Sequence, residues 1–133
     1  MTQLPLIALT LLVLSSSSAY AEWVSVSSSE SLGGYTAYLD PDTIRRKGHL
    51  VKEWELYDFK TIQTLAGKSH LSLKMQHEYD CTKERSRELS YTLFSGSMGK
   101  GNVVSTDSHE SNWNPLEPES IAQDLWKLAC GKK

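Results

Sequence analysis

The sequence predicts an α+β fold: an antiparallel β-sheet of about six strands, with a C-terminal helix packed on one face and linked to it by a disulfide. Three observations predict it. Leu71, Leu73, Met75, His77, Tyr79 and Cys81 alternate with Ser72, Lys74, Gln76, Glu78 and Asp80, the period-two pattern of a half-buried strand. Ile121, Ala122, Leu125, Leu128 and Ala129 recur at helical spacing near the end of the chain. The only cysteines, Cys81 and Cys130, sit at the ends of these two segments.

Taken in order, Glu22 to Ser29 opens with Trp23, Val24 and Val26 and reads as a first strand. Ser31 to Gly34 is a turn, and Tyr35 to Leu39 a second strand. Asp40-Pro41-Asp42-Thr43 ends it, because proline brings no N–H to a sheet ladder. Ile44 is expected to tuck into the core ahead of a basic turn, Arg45-Arg46-Lys47-Gly48. His49 to Lys60 is extended, with Leu50, Trp54 and Leu56 on one face and Val51, Tyr57 and Phe59 on the other. After the alternating strand and a short connection, Arg87, Leu89, Tyr91 and Leu93 alternate with Glu88, Ser90, Thr92 and Phe94 as an antiparallel partner. Gly96 to Gly101 breaks the pattern, Asn102 to Thr106 resumes it, and Asp107 to Glu117 is polar loop. The final helix is expected to carry Pro118 in its first turn, Glu117 and Glu119 at its positive end and Gly131 as its C-terminal cap.

Residues 1–21 have the form of a secretory signal peptide: an apolar run from Leu4 to Leu14, four serines, then Ala19-Tyr20-Ala21 ahead of Glu22. No cysteine lies near that cut, so the expected product is exported, periplasmic or secreted, and not a lipoprotein. Residues 22–133 are expected to form a single domain with no transmembrane anchor. A formal net charge of −2 argues against nucleic-acid binding. In an oxidising compartment the economical reading of Cys81 and Cys130 is one disulfide, the rival being two free thiols. Closing such a loop of about 50 residues contributes roughly 4 kcal/mol in the chain-entropy picture.

Catalytic and metal-binding motifs are missing from the sequence. Gly96 to Gly101 lacks the spacing of a phosphate loop and the Ser/Thr that would follow its lysine. No Gly-x-Ser-x-Gly elbow occurs, and His49, His70, His77 and His109 form no ligand pair at helical spacing. His77, on an apolar strand face, reads as a hydrogen-bonded core histidine. The expectation is a protein that is not an enzyme and holds no metal or cofactor. Surface recognition is the better-supported class. Arg45, Arg46 and Lys47 form one basic cluster, and Lys83, Arg85 and Arg87 a second around the strand connection. Trp113, between Asn112 and Asn114, reads either as an exposed contact residue or as a plug over the sheet. These seven residues are the candidate partner-binding set.

The chain resembles the surface-adhesin protein E family of Gram-negative bacteria. The residues that carry the resemblance are Tyr38-Leu39-Asp40-Pro41, Ile44 to Gly48 and Val51 to Asp58, followed by Glu78-Tyr79-Asp80-Cys81 and the Phe94 to Gly101 turn. Trp113-Asn114-Pro115 and Leu125 to Cys130 complete it, in the same order and spacing. The resemblance implies an antiparallel sheet whose terminal helix is tied by a Cys81–Cys130 bond. It also implies adhesion, with a host extracellular-matrix protein or an envelope component as the protein partner. A periplasmic structural or stress-related role is the alternative, and a small hydrolase or metal protein stands behind it. An open antiparallel sheet leaves edges to be paired or blocked, and pairing in a homodimer is one outcome.

Overall fold

The structure, a computed structural model, describes residues 22–132; the predicted signal peptide lies outside them. Eight antiparallel strands form one sheet: β1 (Val24–Ser29), β2 (Tyr35–Leu39), β3 (Arg45–Lys47), β4 (Leu50–Leu65), β5 (Lys68–Asp80), β6 (Arg85–Phe94), β7 (Val103–Ser108) and β8 (Asn114–Pro115). Six of them run in the order β1-β2-β4-β5-β6-β7, while β3 pairs with the start of β4 and β8 with the start of β6. Helix α1 (Ile121–Cys130) packs on one face, and Cys81 and Cys130 are bonded with their Cα atoms 5.5 Å apart. The predicted architecture is the observed one.

Helix α1 is well capped. Ser120 accepts from Gln123 N at 3.1 Å, so the cap is a serine, and Pro118 lies before the helix rather than in its first turn. Gly131 adopts φ 65°, and Lys132 N donates to Lys127 O at 2.7 Å, closing a Schellman motif. The buried stripe differs from the predicted one. Leu125, Trp126, Ala129 and Cys130 face the sheet, while Leu128 is 54% exposed. Two anchors set this rotation: the Cys130 bond and the Trp126 indole, which donates to Asp80 O at 2.9 Å. Around them Leu39, Val51, Tyr79 and Cys81 complete the core. Burial of Leu125 alone contributes about 1.5–3 kcal/mol.

Two local features depart from the sequence pattern. The basic segment Arg45–Lys47 is not itself a turn but strand β3, and the turn is Gly48-His49. In the β5–β6 pair the register shifts between Gln76, opposite Ser90, and His77, opposite Glu88. Leu89 is the extra residue of this bulge. One added residue reverses the parity of everything beyond it, so Arg87 faces away from Tyr91 and Leu93 instead of sharing their side. The glycine-rich segment after β6 is a braced strand connection. Ser72 Oγ donates to Gly96 O at 2.7 Å and accepts from Gly99 N at 2.9 Å, and Met98 N donates to Asp58 Oδ1 at 2.8 Å.

Candidate interaction face and buried acid cluster

The face of the sheet opposite α1 gathers the basic residues. Directly paired residues on adjacent antiparallel strands share a face. Arg45 pairs with Lys52, Lys52 with Glu78 and Glu78 with Arg87, which makes one row across β3, β4, β5 and β6. Lys47, Leu50, Asp80 and Arg85 make the next. A groove of about 560 Å³ runs beside these rows, lined by Arg45, Arg46, Lys47, Leu50, Lys52 and Glu78 along with the turn residues. Arg45 and Lys47 of one basic cluster and Arg85 and Arg87 of the other, distant in sequence, therefore meet on one surface because of the β5–β6 bulge, while Arg46, paired with the core residue Val51, lies on the helix side at the rim of the groove. Lys83 is exposed in the turn between β5 and β6 and does not line the groove.

Arg85 and Arg87 are already matched by acids. Arg85 Nε lies 3.0 Å from Asp80 Oδ2, and Arg87 bridges Glu78 at 2.6 Å and Glu110 at 2.9 Å. Asp80 is buried, which works against its charge, but Thr82 and Arg85 outweigh this and hold its carboxyl below the ordinary 3.8. Trp113 lies over both guanidinium groups, 4.6 Å from Arg85 and 4.4 Å from Arg87. The pairing of β8 with Arg85 and Ser86 places the indole there. Trp113 is thus half-buried on the basic face, neither free in solvent nor folded into the core.

The helix face holds a cluster that the candidate set does not contain. Glu53 and Glu55 point inward from β4, and both are fully buried. Glu55 Oε1 accepts from His77 Nδ1 at 2.6 Å and from the Tyr57 hydroxyl at 2.9 Å, and its Oε2 accepts from the Tyr79 hydroxyl. Burial opposes ionisation of Glu55, but the charge and hydrogen bond of His77 outweigh it and hold the carboxyl below 4.5. Burial likewise opposes the charge on His77, while Glu55 and then Glu88 raise its pKa above 6.5. Among the described residues Glu53 has neither a hydrogen-bond donor nor a counter-charge; burial, then the neighbouring Glu55, push its pKa up to about 10. It is a neutral carboxylic acid. The sequence does hold a signal for this cluster: Glu53 and Glu55 share strand parity with the apolar Val51, Tyr57 and Phe59. The expected hydrogen-bonded His77 is observed. Among the described residues no group of three acids, histidines or cysteines is arranged to hold a metal ion, and no helix is long and apolar enough to cross a membrane.

Comparison with known proteins bears on the whole domain. No curated protein matches the chain in sequence. The fold is similar to that of Haemophilus influenzae protein E. Crystal form II of that protein aligns with a TM-score of 0.58 at 11% identity, covering 71% of this chain and 80% of that one. Protein E from non-typeable Haemophilus influenzae aligns with a TM-score of 0.51 at 11% identity, covering 71% of this chain and 69% of that one. At this identity the likeness is one of fold. The family model described as Surface-adhesin protein E matches residues 23–131, from the first strand through the C-terminal cap of α1, and the chain belongs to that family.

Proposed function

We propose that this protein is an exported, non-enzymatic binding protein of adhesin type. It recognises a protein partner, either a host extracellular-matrix protein or an envelope component, through the face that carries Arg45, Lys47, Arg85, Arg87 and Trp113. The convergence of two remote basic clusters on one face of the sheet carries this reading. The helix, the disulfide and the acid cluster all cover the opposite face, so among the described residues no helix covers the rows that carry Arg45, Lys47, Arg85 and Arg87. Membership of an adhesin family supports the same role. The protein works outside the cytoplasm, in the periplasm or beyond it, where its disulfide persists.

The test is binding of the oxidised protein to immobilised matrix proteins and to fractionated envelope proteins. Saturable binding to at least one of these, weakened tenfold or more by Arg45→Glu with Lys47→Glu, is expected. No saturable binding to any of them would remove the proposal.

A further inference from the structure

We infer that the free edge of β3 receives an extended acidic segment of a protein partner, whose carboxylates reach into the groove over the adjoining sheet face. This deepens the function proposed above and rests on it. The first observation is the distribution of charge. Arg85 and Arg87 are bound to Asp80, Glu78 and Glu110. Arg45, Arg46, Lys47 and Lys52 have no carboxylate partner among the described residues. Arg45 reaches only the carbonyl oxygens of Asp42 and Ile44, at 2.8 and 2.9 Å, and Arg46 Nε only that of Gly48, at 3.1 Å. Glu78 is the one acid lining the groove, and Arg87 holds it at 2.6 Å. Four cations therefore face a groove with no free anion, and the local field favours a ligand bearing several carboxylates.

The second observation is the main chain. Among the described residues strand β3 pairs with β4 and with no other strand. The hairpin that joins them has two turn residues, Gly48 at φ 62° and His49, as a turn with glycine at its first central position allows. In such a hairpin Lys47 and Leu50, flanking the turn, exchange both hydrogen bonds. Bonded and non-bonded pairs alternate, so the N–H and C=O of Arg46 point away from β4. A peptide gains main-chain hydrogen bonds here in addition to charge contacts, by the usual mode of strand addition. A sulfated saccharide gains the charge contacts alone. A second copy of this chain is disfavoured, because three successive cations would meet the same three cations.

The experiment uses the oxidised protein and a fluorescein-labelled peptide of alternating glutamate and valine, read by anisotropy. Binding that weakens at least tenfold between 50 and 200 mM salt is expected on the order of several ion contacts. N-methylation of the peptide's alternate amides should weaken it about tenfold, as should Arg45→Glu with Lys52→Glu. Arg46→Pro, tolerated on an edge strand, should weaken it more than Arg46→Ala, which removes the same charge but keeps the outward N–H. Circular dichroism and an intact disulfide confirm that each variant is folded. Equal affinity for the N-methylated peptide, or tighter binding of a sulfated oligosaccharide lost in the same variants, overturns the inference. Matrix or envelope binding that survives those groove variants leaves the broader function standing and removes only this segment. A peptide that binds while every protein partner fails does the reverse.

Discussion

His77 donates from Nδ1 to Glu55 Oε1 across 2.6 Å, and the acceptor carboxylate is fully shielded from water. This pair, with Glu53 beside it, sets how the fold responds to pH. Glu55 and Asp80 have folded pKa values below their ordinary 4.5 and 3.8. Their contribution is present above those values and is lost as pH falls through the lower folded ones. His77 is raised above 6.5, so its contribution is complete below 6.5 and is lost as pH rises through the higher folded value. Glu53 keeps its proton to about 10 while the unfolded chain releases it near 4.5, so it lowers stability across that window. Stability should therefore peak near pH 4.5 and fall as pH rises, more steeply above 6.5. Urea denaturation from pH 3.5 to 9.5 reads the optimum directly. A midpoint that rises from pH 6 to 9 contradicts the assignment.

Glu53→Gln isolates one part of that response. Glutamine keeps the shape and neutrality of the protonated acid but has no proton to retain. The variant should match the parent near pH 4.5 and exceed it by about 2 kcal/mol at pH 8, below the ceiling of roughly 1.4 kcal/mol per pH unit. Parallel denaturation at the two pH values checks this. A variant that is less stable at both would mean that Glu53 is ionised and paired.

The Cys81–Cys130 bond joins the strand connection to the end of α1, across 49 residues of sequence. Cys81→Ser or Cys130→Ser should cost about 2–5 kcal/mol, as should reduction. Helix α1 holds on otherwise by a single face, so its amides should lose hydrogen-exchange protection before those of β4 and β5. Exchange measured with and without reductant gives the order of opening.

Much of this was legible because each signal was local. The alternation from Leu71 to Cys81, the helical spacing from Ile121 and the cap at Gly131 each depend on residues close together in sequence. The rotation of α1 was not legible, since it follows from Trp126 meeting Asp80. Nor was the side taken by Arg87. A bulge opposite Gln76 and His77 is decided by the fit of two strands together, and β6 read alone continues its alternation unbroken. Glu53 and Glu55 had the parity of core residues, but acids are so seldom buried that composition points the other way.

Trp126 and Trp113 offer a contrast between a tryptophan buried under the helix and one half-buried over two guanidinium groups. The Trp126 ring is buried in the core and its Nε1 donates to Asp80 O at 2.9 Å. Phenylalanine keeps most of the apolar contact but loses the donor, so Trp126→Phe should cost about 1–2 kcal/mol. Trp113 rests on Arg85 and Arg87, whose charges are also held by Asp80, Glu78 and Glu110. Trp113→Ala should cost no more than about 1 kcal/mol, the worth of exposed cation–π contacts. If the proposed function holds, its larger effect is on partner binding, where loss of a central aromatic anchor costs about 2 kcal/mol or more. Denaturation of both variants beside a partner-binding assay separates the two roles. Trp113→Ala that unfolds the protein as readily as Trp126→Phe would move Trp113 from the contact surface to the scaffold.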